Sequence, residues 1–88
     1  MRPLHLSDLH VAACALRGRP ASDQVAAIRG AIAAADTADR YRKRLRKAHP
    51  DFGTGTLSSV FGTVDEPNSC DAAYLAALAV VVAALRDC

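Results

Sequence analysis

The stretch from Ser22 to Lys47, SDQVAAIRGAIAAADTADRYRKRLRK, decides the fold class. Ser22 followed by Asp23 is a helix start signal: a hydroxyl that can accept a spare backbone N–H of the first turn, with an acid beside it. No proline interrupts the chain until Pro50, so a helix over about residues 23–47 is expected, with Gly30 slightly weakening its first half. On a helical projection Val25, Ile28, Ile32 and Ala35 form one stripe, whereas Ala34, Ala38, Tyr41 and Leu45 fall nearly half a turn away. One straight helix on one flat core does not account for both stripes. Either the helix breaks near Asp36-Thr37, or its halves pack against different neighbours, one of which can be another subunit.

Upstream, Ser7 and Asp8 repeat the start signal, and Leu9, Ala13 and Leu16 recur at helical spacing until Gly18 and Pro20, which predicts a first helix over about residues 8–17. Downstream, His49-Pro50-Asp51-Phe52-Gly53-Thr54-Gly55-Thr56 reads as a loop, and Leu57 to Phe61 as one helical turn capped by Thr56. Gly62 to Ser69 is polar and contains Pro67; Ser69 then caps a last helix with Asp71 in its first turn. In that helix Tyr74, Leu75, Leu78, Val81, Val82 and Leu85 share one broad face. The opposite face, Ala76, Ala79, Val80 and Ala83, carries no charge. A helix apolar on both sides is either central to a bundle or pressed against a second chain. No internal repeat is present.

With 88 residues the chain has room for one domain and one thin core. It is 51% hydrophobic but only 5% aromatic, without tryptophan, so Ala, Val and Leu dominate. Alanine loses no side-chain entropy in a helix, whereas a small β-sandwich needs more Thr, Ile and aromatic residues. The reading is all-α: a small bundle of three to four helices with one long helix and a Gly/Thr-containing loop. Its expected core is Leu9, Leu16, Val25, Ile28, Ile32, Leu45, Leu57, Phe61, Leu75, Leu78, Val82 and Leu85. The longest apolar run, Ala72 to Leu85, falls short of the roughly 20 residues that cross a bilayer, so no membrane span is expected. Cys14, Cys70 and Cys88 form no CxxC pair and cannot all be matched, and the N-terminus lacks the apolar run of a signal peptide. A reducing, cytoplasmic location is expected.

The formal charge of +2 conceals a segregation: Arg40, Arg42, Lys43, Arg44, Arg46 and Lys47 fall within eight residues, and the remainder holds five bases against nine acids. These six residues are the candidate binding site. Clustered bases neutralise phosphates or meet an acidic protein or membrane surface, and Tyr41 among them can stack on a base. Against this, cations suit the negative end of a helix, and Asp36 and Asp39 each precede a base by four residues, at Arg40 and Lys43, which makes the cluster equally a solvated surface. With Tyr41 and Leu45 expected to face a core, the bases alone make contact. The cluster lies at the end of a long helix rather than at the start of a recognition helix, which disfavours sequence-specific DNA binding.

The remaining candidates are weaker. His10 and Cys14, four apart, share a helix face at a spacing that suits metal ligands, with His5 or His49 to complete a set, but Cys14 reads better as a small buried hydrophobe. Gly53-Thr54-Gly55-Thr56 has the look of a phosphate cradle without the Gly-Lys-Ser/Thr ending, and reads as a tight structural loop. Cys70 with His49 lacks a third group, and Asp65-Glu66 needs only solvent. Neither catalysis, a metal or cofactor, nor a small-molecule substrate is indicated.

The string Leu6-Ser7-Asp8-Leu9-His10, with Ala34, Asp36, and the Tyr41 to Leu57 stretch containing Ala48-His49-Pro50, Gly53 and Gly55, resembles a family of short uncharacterised bacterial helical proteins. That resemblance implies a compact bacterial cytosolic protein and assigns no activity or site residue. The functional expectation is a non-catalytic interaction module, self-associating as a homodimer and docking on an acidic partner through the basic helix end. The alternative is a small nucleic-acid-binding protein that uses the same six bases on phosphates without reading sequence.

Overall fold

The computed structural model describes residues 1–64 and 71–87. Four helices form among them: α1 (Leu6–Leu16), α2 (Ala21–Leu45), α3 (Leu57–Phe61) and α4 (Ala72–Arg86). Among the described residues the only pairing of extended type is a single antiparallel bridge between His49 and Gly53. The all-α bundle expected from composition is what the chain forms, with α4 packed on α1 and α2, and α3 packed on α1 and α2.

The helix starts lie slightly earlier than their cap signals suggested. α1 begins at Leu6 with His5, not Ser7, as its cap residue, because Asp8 reaches back: His5 N–H donates to Asp8 Oδ2 at 2.9 Å. α2 begins at Ala21 behind Pro20, ahead of Ser22, and ends at Leu45. Thr56 caps α3 as expected, its hydroxyl accepting from Ser59 N–H at 3.2 Å. Asp71, assigned above to the first turn of the last helix, is its cap, accepting from Ala73 and Tyr74 N–H at 2.8 and 3.3 Å. Ser69, Asp65, Glu66 and Cys70 lie outside the described residues.

α2 is unbroken through Asp36-Thr37. Its 25 residues span about 37 Å, close to the 41 Å longest dimension of the molecule. The two stripes read from its large side chains are corrected to one seam, Gln24, Ile28, Ala31, Ala35 and Ala38, at alternating steps of four and three along its length. Its halves do meet different neighbours. Ile28 and Ala31 join the main cluster with Ala12, Ala13, Leu16, Leu57, Ala77 and Val81. Further along, Gly55 of the loop rests on the backbone of Asp39.

Alanine on the seam changes where large side chains go. Helices that meet through methyl groups approach closely, and a residue one position off the seam is pushed to the rim. Val25 (45%), Leu75 (51%) and Val82 (39%), expected in the core, are therefore exposed, and Leu45 (49%), at the end of α2, is exposed as well. On α4 only Ala77 and Val81 are buried, with Tyr74 and Ala84 extending their line. Leu78, Val80 and Leu85 pack partly against the cluster, and Leu75 and Val82 are exposed.

Buried polar groups tie the elements. Asp8 is 3% exposed and accepts from the backbone N–H and hydroxyl of Ser58 at 3.0 and 2.6 Å, which fastens α1 to the start of α3. Buried Gln24 donates to the carbonyls of Leu16 and Arg19 at 3.0 and 3.1 Å, satisfying the end of α1. Arg17 pairs with Asp71 at 3.1 Å, linking the end of α1 to the cap of α4.

Gly30 faces open space in a helix interior, whereas Gly55 has φ of +97° and an added Cβ would lie 2.7 Å from Asp39 Cα. Gly30→Ala is expected to raise stability by about 0.5–1 kcal/mol and Gly55→Ala to lower it by more than about 1 kcal/mol, a difference in sign that thermal melts of the two variants will read.

Burial works to raise the Asp8 carboxyl, but the Ser58 hydroxyl and the His5 and Ser58 N–H groups outweigh it and hold Asp8 below its usual range. A carboxyl depressed by folding contributes stability that is complete above its unfolded value of about 3.9 and is lost as pH falls through the lower folded value. Asp8→Asn is expected to cost roughly 1–3 kcal/mol at pH 7. In urea melts the gap from the parent protein should close as pH falls below about 4.

Candidate functional site

The six bases of the candidate site do not act as one patch, because a buried acid divides them. Asp39 is only 3% exposed where α2 passes under Gly55. Lys43 Nζ and Arg42 Nη2 each lie 3.1 Å from its carboxylate, and the Met1 ammonium lies 3.6 Å away. The Lys43 hydrogen bond holds the Asp39 carboxyl below its usual range, against the opposing effect of burial and with further help from Arg42. Two of the six bases are thus engaged in neutralising their own helix. Asp36, expected to pair with Arg40, contacts the Met1 ammonium instead.

Arg40 and Arg44, one turn apart, enter no ion pair among the described residues. They border an open groove of about 560 Å³ together with Thr37, Tyr41, Leu45 and His49. Tyr41 is half-buried rather than core, and its ring meets the His49 ring edge-on at 4.8 Å; His49 in turn stacks on Phe52 at 4.7 Å and 12°. Asp51 and Phe52 N–H both donate to His49 Nδ1, at 3.0 and 3.2 Å, which places the ring's proton on Nε2. The aromatic wall is therefore held by the loop, and Leu45, half exposed, continues the Tyr41 row as an apolar strip beside the two arginines. The expectation that Tyr41 and Leu45 face a core is corrected accordingly.

Arg46 ends α2 in a left-handed conformation, φ 57°, its N–H donating to Arg42 C=O at 2.7 Å, and Lys47 follows in the exposed turn. These two bases lie beyond the last helical turn. No residue in this segment has the freedom of glycine, and Arg46 takes the strained position that closes the helix.

The Gly/Thr loop uses its polar groups internally. Gly53 N–H donates to His49 C=O and Thr54 N–H to Ser59 Oγ, while Gly55 C=O accepts from Arg2 N–H at 2.9 Å. This is the structural loop that the sequence suggested. His10 and Cys14 are brought together, Nε2 to Sγ at 3.6 Å, but among the described residues no three His, Cys, Asp or Glu side chains converge as a metal site. Tyr74 Oη lies 2.9 Å from His10 Nδ1, a partner that spacing along α1 did not reveal.

The family model called "Domain of unknown function (DUF7742)" matches residues 2–85. The chain belongs to this family. An uncharacterised family was the expectation, and no curated protein and no solved structure matches the chain. Among the described residues of this DUF7742 chain no helix is long and apolar enough to cross a membrane.

The division of the bases has a measurable consequence. Arg40→Ala with Arg44→Ala should shift unfolding by less than about 0.5 kcal/mol, since both are exposed and pair with no acid among the described residues. Arg42→Ala with Lys43→Ala should lower the melting temperature clearly, because Asp39 then loses both side-chain cations. Thermal denaturation of the two double variants at pH 7 compares them directly.

Proposed function

We propose that this DUF7742 chain is a non-catalytic interaction module that docks an acidic protein segment in the groove beside the end of α2. The observation that carries this reading is the row of Arg40 and Arg44, unengaged by acids of the described chain, beside an apolar row made by Tyr41 and Leu45 in the same groove. Guanidinium groups pair with carboxylates in a two-pronged geometry, and the apolar strip beside them suits an aliphatic or aromatic side chain next to acids. Arg46 and Lys47 extend the positive field at the helix end and serve approach rather than seating.

The module also self-associates in this proposal. Leu6 is 82% exposed and stands as a ridge between two furrows of about 370 and 360 Å³. Tyr74 and Leu78 help to line one furrow, and Leu4, Val82 and Leu85 the other. A patch that carries both a knob and a matching hollow suits a twofold contact, in which each copy offers its Leu6 to the other. The open apolar faces of α4 favour the same arrangement.

Fluorescence anisotropy with a labelled Glu-rich peptide containing one Leu tests the docking site. Binding is expected, weakened at least about tenfold by Arg40→Ala with Arg44→Ala (about 1.4 kcal/mol). Equal binding by the double variant, or none by the parent, sinks the groove assignment. Sedimentation is expected to show a dimer that Leu6→Glu converts to monomer. If a random DNA duplex binds instead, with affinity falling steeply as salt rises, the nucleic-acid reading on the same bases replaces the acidic partner.

A further inference from the structure

Away from the groove, α1 and α4 assemble a second constellation. His10 and Cys14 stand one turn apart on the same face of α1, with His10 Nε2 3.6 Å from Cys14 Sγ. The other ring nitrogen, Nδ1, lies 2.9 Å from Tyr74 Oη, and the two rings meet edge-on at 5.5 Å. Each ring nitrogen has a partner in a different direction, so turning the imidazole breaks both contacts. A nucleophilic atom, a base and a group that orients the base are thus in sequence.

The arrangement suits the charged form of the pair. When the thiol proton passes to Nε2, both ring nitrogens carry hydrogen: Nε2–H donates to the thiolate and Nδ1–H donates to the phenol oxygen, which accepts without rearranging. Among the described residues, Arg17 of α1 and Asp71 at the start of α4 pair with each other at 3.1 Å. Cys14 is 6% exposed, yet it forms part of the wall of an open groove of about 390 Å³ that includes Arg17 and Gly18. A small molecule can reach the sulfur where a protein cannot.

We propose that Cys14 is a site of reversible oxidation by small peroxides, with His10 as the proton carrier and Tyr74 as the positioning residue. Cys14 thiolate attacks one oxygen of hydrogen peroxide; the S–O bond forms as the O–O bond breaks, and the departing hydroxide takes the proton held on His10. The thiol and peroxide become a sulfenic acid and water, with sulfur oxidised by two electrons and peroxide reduced by two. An external low-molecular-weight thiol restores Cys14 through a mixed disulfide.

Alkylation by iodoacetamide and trapping by dimedone after hydrogen peroxide, both read by mass spectrometry on the peptide that carries Cys14, test the proposal. At pH 6.5 Cys14 in the folded protein is expected to alkylate at least about tenfold faster than in His10→Gln, as follows from a thiol pKa lowered by one unit or more. Tyr74→Phe should move the pH profile of alkylation upward while the helical circular dichroism signal stays unchanged. Dimedone should mark Cys14 in the parent protein and fail to do so in His10→Gln. Should His10→Gln not fold, the profile of the parent decides alone: an inflection at or above about 8.5, the ordinary thiol value, overturns the proposal. So does a Cys14 that stays unlabelled in the folded protein, or equal rates in parent and variant.

Discussion

Gly55 lies so close to α2 that no side chain fits between its backbone and Asp39, and much of the molecule's other end depends on this contact. The remaining helices are too short to cover a helix of 25 residues along its full length. The loop after α2 folds back, and Gly55 and the segment around Arg2 cover the part of α2 beyond the main cluster. This cover buries Asp39, and a buried carboxylate without cations is costly. Arg42 and Lys43 supply the charge, and Arg40 and Arg44 are left for the outer side. One close backbone contact therefore sorts the basic cluster into groups that serve the fold and groups that face solvent.

A core built so largely from Ala12, Ala13, Ala31, Ala35, Ala38 and Ala77 buries little apolar area per residue. Among the larger side chains Leu16, Ile28, Leu57 and Val81 are fully buried. Polar ties carry part of the burden of uniqueness: Asp8 to Ser58, Gln24 to the end of α1, and Arg17 to Asp71 each join two elements and accept few alternative geometries. The same economy leaves Leu6, Leu75 and Val82 outside, and apolar surface of that kind is what a second copy of the chain can use.

The helix content, a helical segment between Pro20 and Pro50, the cap on α3 and the role of the Gly/Thr segment as a loop were legible along the chain, whereas the continuity of α2 through Asp36-Thr37 was not. Each rests on local chemistry: alanine's low entropy cost, the absence of proline between Pro20 and Pro50, a hydroxyl within reach of an N–H three residues on, and glycine's access to positive φ. The charge segregation was equally plain, since it is a matter of counting.

Which side of each helix faces inward was decided only by the tertiary structure. The pattern of Val25, Leu75 and Val82 suggested burial because large apolar residues dominate a hydrophobic projection, yet close approach between helices favours alanine and displaces its larger neighbours to the rim. The partition of the six bases, the aromatic wall of Tyr41, His49 and Phe52, and the meeting of Tyr74 with His10 all join residues that are distant in the chain or held by a loop. Sequence by itself determined the elements and their charges, because those depend on neighbours within a turn. Contacts between elements chose the faces and made the candidate sites, because burial and proximity exist only after the chain has closed on itself.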